Sequence, residues 1–142
     1  MNVWTYGVAI AKEDGDFVVS VRDLPEVVTS GSTLGEALRL ASDAVEVAVA
    51  GRMDDDMDLP PPSGVRNGEH AVSLPAQLSA KAAVYSAWKA AHLTKVEFAR
   101  LLDRNEAEVR RILNPRHGTK LDQLEQAANA LGGRLVVGFE RT

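Results

Sequence analysis

The sequence predicts an α+β protein in two parts: a β-β-β-α-β unit over residues 1–75 and an all-helical unit over residues 76–142 that ends in a short strand. Three observations predict it. Apolar residues alternate with period two from Val3 to Ile10 and from Phe17 to Val21, then switch to helical period from Leu34 to Val49. The stretch Leu93 to Leu113, LTKVEFARLLDRNEAEVRRIL, reads as two short capped helices joined by a tight turn, a device that sets a helix into the DNA major groove. Charge divides at the same place. Residues 1–75 carry 5 Lys+Arg and 13 Asp+Glu, a net of −8; residues 76–142 carry 11 and 7, a net of +4; together they give the −4 of the whole chain. A basic half that reads DNA is thus joined to an acidic half that would repel it, so the acidic half needs another partner.

Trp4, Tyr6, Val8 and Ile10 share one face of the first strand, and Phe17, Val19 and Val21 one face of the second. Asp14-Gly15 between them is a hairpin signal. Asp23-Leu24-Pro25 ends the second strand, and Val27 to Thr29 offers a third. Thr33 opens a helix with Glu36 at the capping-box spacing, Leu34, Leu38, Ala41, Val45 and Val49 give its apolar stripe, and Gly51 is a natural stop. Ala71 to Leu74 is the fourth strand. The connection RMDDDMDLPPPSGVRNGE, about residues 52–68, with consecutive acids and three prolines, predicts an exposed, stiff linker; its acids do not alternate around a glycine as a calcium loop requires.

In the second half, Val84, Tyr85, Trp88 and Ala91 form an apolar stripe on a helix from about Ser79 to Ala91. Tyr85 and Trp88 could stack on bases, but their spacing favours core packing. Thr94 and Glu97 form a second capping box, and Val96, Phe98, Ala99, Leu101 and Leu102 furnish the next helix. Asp103 occupies the turn, where the left-handed conformation is tolerated better by Asp than by most residues. Asn105 caps the following helix, whose Val109 and Ile112 face inward. That leaves Glu106, Ala107, Arg110 and Arg111 outward, as candidates for base contact, with Arg111 the best placed to pair bidentately with guanine. Arg104, Arg116 and Lys120 flank the helix and suit phosphate contact. Leu121, Leu124, Ala127, Ala128 and Leu131 close the unit before Gly132-Gly133. Leu135, Val137 and Phe139 lie on one face of a final strand, Arg134–Glu140, whose open edge predicts pairing with a second copy.

Much is excluded. There is no cysteine, so neither a disulfide framework nor a thiolate metal site, which fits a cytoplasmic protein. His70, His92 and His117 share no metal-ligand spacing. No nucleophile elbow, phosphate-binding glycine loop or dinucleotide fingerprint occurs. No secretory signal and no apolar run of membrane-spanning length is present. The expectations are no catalytic residues, no metal, no cofactor and no membrane partner.

The run DLPEVVTSGSTLGEA, Asp23 to Ala37, resembles the N-terminal domain of HicB antitoxins, which end a strand in Asp-Leu-Pro-Gly-Cys and begin a helix with Thr-x-Gly-x-Thr-x-x-Glu-Ala. Asp23, Leu24, Pro25, Thr29, Gly31, Thr33, Glu36 and Ala37 match; Glu26 and Val27 depart, which suggests a different turn there. Residues 79–131 resemble the Xre/Cro helix-turn-helix, with Asp103 replacing the turn glycine and Arg104 a smaller residue. The resemblance implies a degenerate ribonuclease-H-like sheet that has become a protein-binding module. It also implies a partner, HicA, a small basic ribonuclease that cleaves messenger RNA, and repression of the protein's own operon through operator double-stranded DNA. The expected assembly is a homodimer or a higher even oligomer. The residues that would touch the toxin are not identified by sequence. A second reading, a stand-alone transcription regulator with a ligand-sensing N-terminal domain, would show a polar constellation within an apolar pocket, and none is visible.

Overall fold

A computed structural model describes residues 3–142. The chain divides into two compact units, Met1–Pro75 and Ala76–Thr142. In the first, β1 (Thr5–Glu13) and β2 (Asp16–Val21) form a hairpin, β3 (Val28–Gly31) follows, α1 (Leu34–Asp54) crosses one face, and β4 (His70–Ser73) completes the sheet. The strand order is β3-β2-β1-β4 and every pairing is antiparallel. Asp14 and Gly15 both take positive φ (52° and 85°), as a two-residue hairpin turn with right-handed twist requires.

The alternation sets which face is buried. Val8 opposes Val21, Ile10 opposes Val19, and Tyr6 opposes Val72. Tyr6, Val8, Val19, Val21 and Val72 are buried beneath Ala37, Ala41, Val45, Val49 and Met53 of α1. The opposite face, away from α1, carries Ala9, Ala11, Val18, Ser20, Val28 and Ser30, the usual one-sided packing of an antiparallel sheet on a helix. Thr33 caps α1 by accepting from the Glu36 N–H (3.1 Å); the Glu36 carboxylate takes the Ser32 hydroxyl instead, so the expected box is half formed.

Two expectations need correction here. The stripe on α1 runs through Ala37 rather than Leu34, which is exposed. Gly51 does not stop the helix, which continues to Asp54. A helical glycine costs roughly 1 kcal/mol, and burial of Met53 with a bidentate pair between Arg52 and Glu26 (2.7 and 2.8 Å) offsets it. Arg52 holds the Glu26 carboxyl below its usual value through those hydrogen bonds. The chain then breaks at Asp56, at φ 51°.

The connection from there to β4 is mostly exposed, as expected, but it is anchored rather than free. Leu59 is buried. The Ser63 N–H and hydroxyl donate to the two oxygens of Asp23 (2.9 and 2.8 Å). Arg22 reaches Ser63 Oγ and donates to Gly64 O (3.1 Å) and Glu69 Oε1 (2.9 Å). Burial pushes the Asp23 carboxyl up, but the two Ser63 bonds, with Arg22 and Arg66 nearby, outweigh it and leave it below its ordinary range. Glu26, where the resembled motif has glycine, has no positive φ, and the turn closes by Val27 N–H to Leu24 O (2.9 Å), so a side chain is accommodated.

The second unit contains α2 (Ala76–Ala90), α3 (Lys95–Leu102), α4 (Glu106–Leu113) and α5 (Leu121–Ala130). Helix α2 packs on α4 and α5, and α3 on α4 and α5. Val84, Tyr85, Trp88, Phe98, Val109, Ile112 and Leu124 are buried between them. Tyr85 and Trp88 sit 5.6 Å apart at a tilt of 58°, packed in the core rather than presented to solvent. Ala91 lies beyond α2 and is exposed, and Val96 and Leu101 of α3 also face solvent rather than the core. The expected strand Arg134–Glu140 is not a strand in this chain: residues after Gly133 have no regular structure, and Val137 and Phe139 are 80% and 90% exposed. A strand requires a neighbouring edge for its amides, and among the described residues none is paired with this tail.

Candidate nucleic-acid interface

Helices α3 and α4 are joined by Asp103, Arg104 and Asn105 alone. Thr94 and Glu97 form a complete reciprocal box at the start of α3, with Thr94 Oγ1 accepting from Glu97 N–H (3.0 Å) and Glu97 Oε1 from Thr94 N–H (2.9 Å). Asp103 ends α3 in the left-handed conformation, φ 54° and ψ 47°. Its N–H returns to Arg100 O (3.1 Å) and the Arg104 N–H to Ala99 O (2.9 Å). Asn105 Oδ1 then accepts from Glu108 N–H (2.8 Å) and starts α4. Local chemistry thus sets both ends of the turn.

Val109, Ile112 and Leu113 bury one side of α4. Ala107, Arg110 and Arg111 lie on the exposed side, where the sequence places them. Glu106 is half-buried and pairs with Arg110 across one turn (2.6 Å), a surface pair worth about 0.3–0.5 kcal/mol and readily exchanged for another partner. The Arg111 guanidinium makes no hydrogen bond or ion pair with the described residues. Lys120, just before α5, is likewise exposed, and Arg116 stands on the exposed loop after α4. Arg104 differs from the other candidates: its guanidinium donates to Gln126 Oε1 (2.7 Å) and lies 3.6 Å from Glu108, turned toward α5. The structure therefore gathers Ala107, Arg110 and Arg111 on one face and draws Arg104 away into a contact with α5.

One residue behind this face carries no signal in the motif itself. Lys81 of α2 is wholly buried. Its Nζ donates to Arg111 O (2.9 Å), Ile112 O (2.9 Å) and Thr119 Oγ1 (2.7 Å). All three ammonium protons are used, and two go to carbonyls of the last turn of α4, where a cation is also favoured by the helix dipole. Gln77 Oε1 accepts from the Thr119 N–H (3.0 Å), so α2 fixes the Thr119 loop as well. Burial lowers the Lys81 ammonium from 10.5 to about 8. The sequence contains a usable signal: Lys81 stands four residues before Tyr85 and seven before Trp88, on the buried stripe of α2.

Among the described residues no group of three or more His, Cys, Asp or Glu side chains is placed to hold a metal ion. No helix is long and apolar enough to cross a membrane.

Comparison with known proteins bears on the whole chain. The family model for the HicB-like antitoxin of bacterial toxin–antitoxin systems matches residues 5–83. Antitoxin HicB of Escherichia coli (strain K12) is 33% identical over 122 residues, covering 86% of this chain and 88% of that protein. Antitoxin HicB 2 of Photorhabdus laumondii is 35% identical over 130 residues, 92% of each. Antitoxin HicB of Pseudomonas fluorescens is 30% identical over 139 residues, 97% of this chain and 95% of that one. These proteins are antitoxins rather than enzymes, and this chain is not an enzyme. The match extends through the β-β-β-α-β unit and onward along nearly the full length of the relatives, and the chain belongs to the HicB-like antitoxin family of bacterial toxin–antitoxin systems.

Proposed function

We propose that this antitoxin uses Met1–Pro75, a degenerate ribonuclease-H-like module, to bind and neutralise a HicA-type toxin, a small basic ribonuclease that cleaves messenger RNA. Ala76–Thr142, in turn, represses the protein's own operon as a Xre/Cro-like helix-turn-helix. Both acts take place in the cytoplasm. The observation that carries the DNA half is the outward face of α4, with unpaired Arg111 beside Arg110 and Ala107, on a helix joined to α3 by three residues and held from behind by Lys81. The net +4 of residues 76–142 supports the same half. The net −8 of residues 1–75 supports the other, since it would speed encounter with a basic partner and discourage competing RNA.

In this reading Arg111 reads a base edge, Glu106, Ala107 and Arg110 line the same groove, and Arg116 and Lys120 hold phosphates. Arg104 joins them only after leaving Gln126. Arg111→Ala should weaken operator binding by about 1–3 kcal/mol in a titration with labelled DNA, leave binding to random DNA nearly unchanged, and leave toxin neutralisation intact. Equal losses on both DNAs would reduce Arg111 to a phosphate contact.

Repression of a palindromic operator needs two copies, with half-sites about 34 Å apart. The tail offers the means: Leu135, Val137 and Phe139 alternate, and Val137 and Phe139 are left uncovered in one chain. Pairing with a second tail would supply the missing edge. Deleting residues 134–142 should convert the dimer to a monomer in sedimentation velocity; an unchanged dimer would move the interface elsewhere. The founding test is co-expression with the small basic protein encoded beside this gene. Relief of growth arrest that survives deletion of residues 79–142 assigns neutralisation to the first unit. A toxic neighbour that the full-length chain leaves unrelieved would end the pairing.

A further inference from the structure

Strand β3 is an edge of the sheet, hydrogen-bonded to β2 alone, so one row of its backbone groups faces outward. Its sequence, Val28-Thr29-Ser30-Gly31, contains no proline, no lysine and no inward-turned charge, the usual protections of an edge. Beside it runs a groove of about 410 Å³ between β3 and α1, with Val27, Val28 and Thr29 on one wall and Leu40, Ala44 and Val47 on the other. Val47 of α1 lines the cleft and is 69% exposed, whereas Val28 lies in register with Ser20 and Ala9 and turns its side chain to the sheet face away from α1. The rim is acidic. Glu26 stands at one end, paired with Arg52, and Asp43 lines the same cleft with no partner among the described residues.

We propose that this groove is the toxin-docking surface: a strand of the basic partner adds to the free edge of β3, an apolar side chain of that strand seats against Val47 beside Thr29, and a flanking Lys or Arg meets Asp43. The inference rests on the neutralisation assigned above to Met1–Pro75. Three observations converge on one occupant. A bare edge selects an extended peptide, because main-chain hydrogen bonds supply affinity there. The cleft beside it gives alternate side chains of that peptide a pocket. The carboxylate rim, on a unit of net charge −8, selects a basic peptide over an acidic one.

The test uses the full-length chain with Val47→Arg and Asp43→Lys combined, and the basic toxin encoded beside its gene as the probe. Both positions are exposed, so the variant should melt as the wild type does. Affinity for the toxin, by calorimetry, should fall about 30-fold or more, and rescue of growth should fail. In the wild type, amide exchange at Val28–Gly31 should slow on toxin binding. Toxin affinity within about twofold of wild type, with unchanged exchange in β3, would overturn the surface while leaving the pairing in place. Failure of the wild-type chain itself to bind the toxin would overturn the pairing and the surface together. Loss of the wild-type dimer in the variant with toxin affinity retained would assign the groove to a second copy of the chain and overturn the proposal.

Discussion

Lys81→Ala should destabilise the helical unit by about 4 kcal/mol, and Lys81→Met by about 2 kcal/mol, measured by denaturant unfolding of the full chain. Both remove the donor that Ile112 O and Thr119 Oγ1 receive from Nζ. Arg111 O and Thr119 Oγ1 retain other contacts, the Asn114 N–H at 3.3 Å and His117 Nδ1 at 3.2 Å, so the main loss is at Ile112 and at the charge on the α4 terminus. Methionine keeps the buried stem, whereas alanine also forfeits packing around four methylenes. Removing the ammonium spares its burial cost, which offsets part of the loss at the orphaned Ile112 carbonyl and the α4 terminus in the methionine variant. The pH dependence separates a buried charge from mere packing. The unfolded chain holds the Lys81 proton up to 10.5, the folded chain only to about 8. Between those values the unfolded state binds more protons, so raising the pH favours the folded state. Wild-type stability should therefore carry a component that rises from about pH 8 towards 10.5, and Lys81→Met should lack it. Equal pH profiles for the two proteins would show that Lys81 is not buried as a cation.

The same comparison shows which features a sequence displays and which it hides. Asp14-Gly15, Thr94 with Glu97, Asn105 and Asp103 are read correctly because each acts on its own backbone within four residues. The inward strand faces follow from period two and the inward side of α4 from period 3.6. The misplaced features depend on partners far along the chain. Arg52 carries α1 past Gly51 by pairing with Glu26, 26 residues away. Asp23 holds Ser63 across 40 residues and so anchors a segment whose composition reads only as an exposed, stiff linker. Arg104 and Gln126 are 22 apart. The tail fails to become a strand for the complementary reason, since alternation specifies a face but cannot supply an edge. Of the candidate site, the outward residues of α4 were legible from amphipathicity, whereas for Lys81 behind them the stripe of α2 signals burial but not its role, which depends on acceptors on α4 and the following loop.

Gly31→Ala should destabilise the first unit by about 3 kcal/mol, although the position needs no unusual backbone angle. A Cβ there would stand 2.6 Å from Ala37 N and 2.9 Å from Ala37 Cα. Both atoms belong to the first turns of α1, so the clash is with backbone and cannot be relieved by rotating a side chain. Either α1 lifts away from β3, loosening Ala37, Ala41 and Val45 over the sheet, or β3 leaves β2 at the Phe17–Gly31 pair. Helix packing therefore accounts for this glycine within the Thr-x-Gly-x-Thr run, where turn formation does not. Gly35, four residues on and inside α1, is the control, because a Cβ there meets nothing within 4 Å. Gly35→Ala should stabilise by about 0.5–1 kcal/mol through the unfolded chain's lost freedom. The two alanines differ only in what the methyl meets, so urea midpoints moving in opposite directions would isolate the contact between α1 and β3. A Gly31→Ala midpoint equal to wild type would mean that α1 does not approach β3 this closely. Because β3 and α1 are also the two walls of the acidic groove, the same methyl should widen it. Toxin affinity of whatever Gly31→Ala protein remains folded then tests whether the groove's width matters apart from its charge.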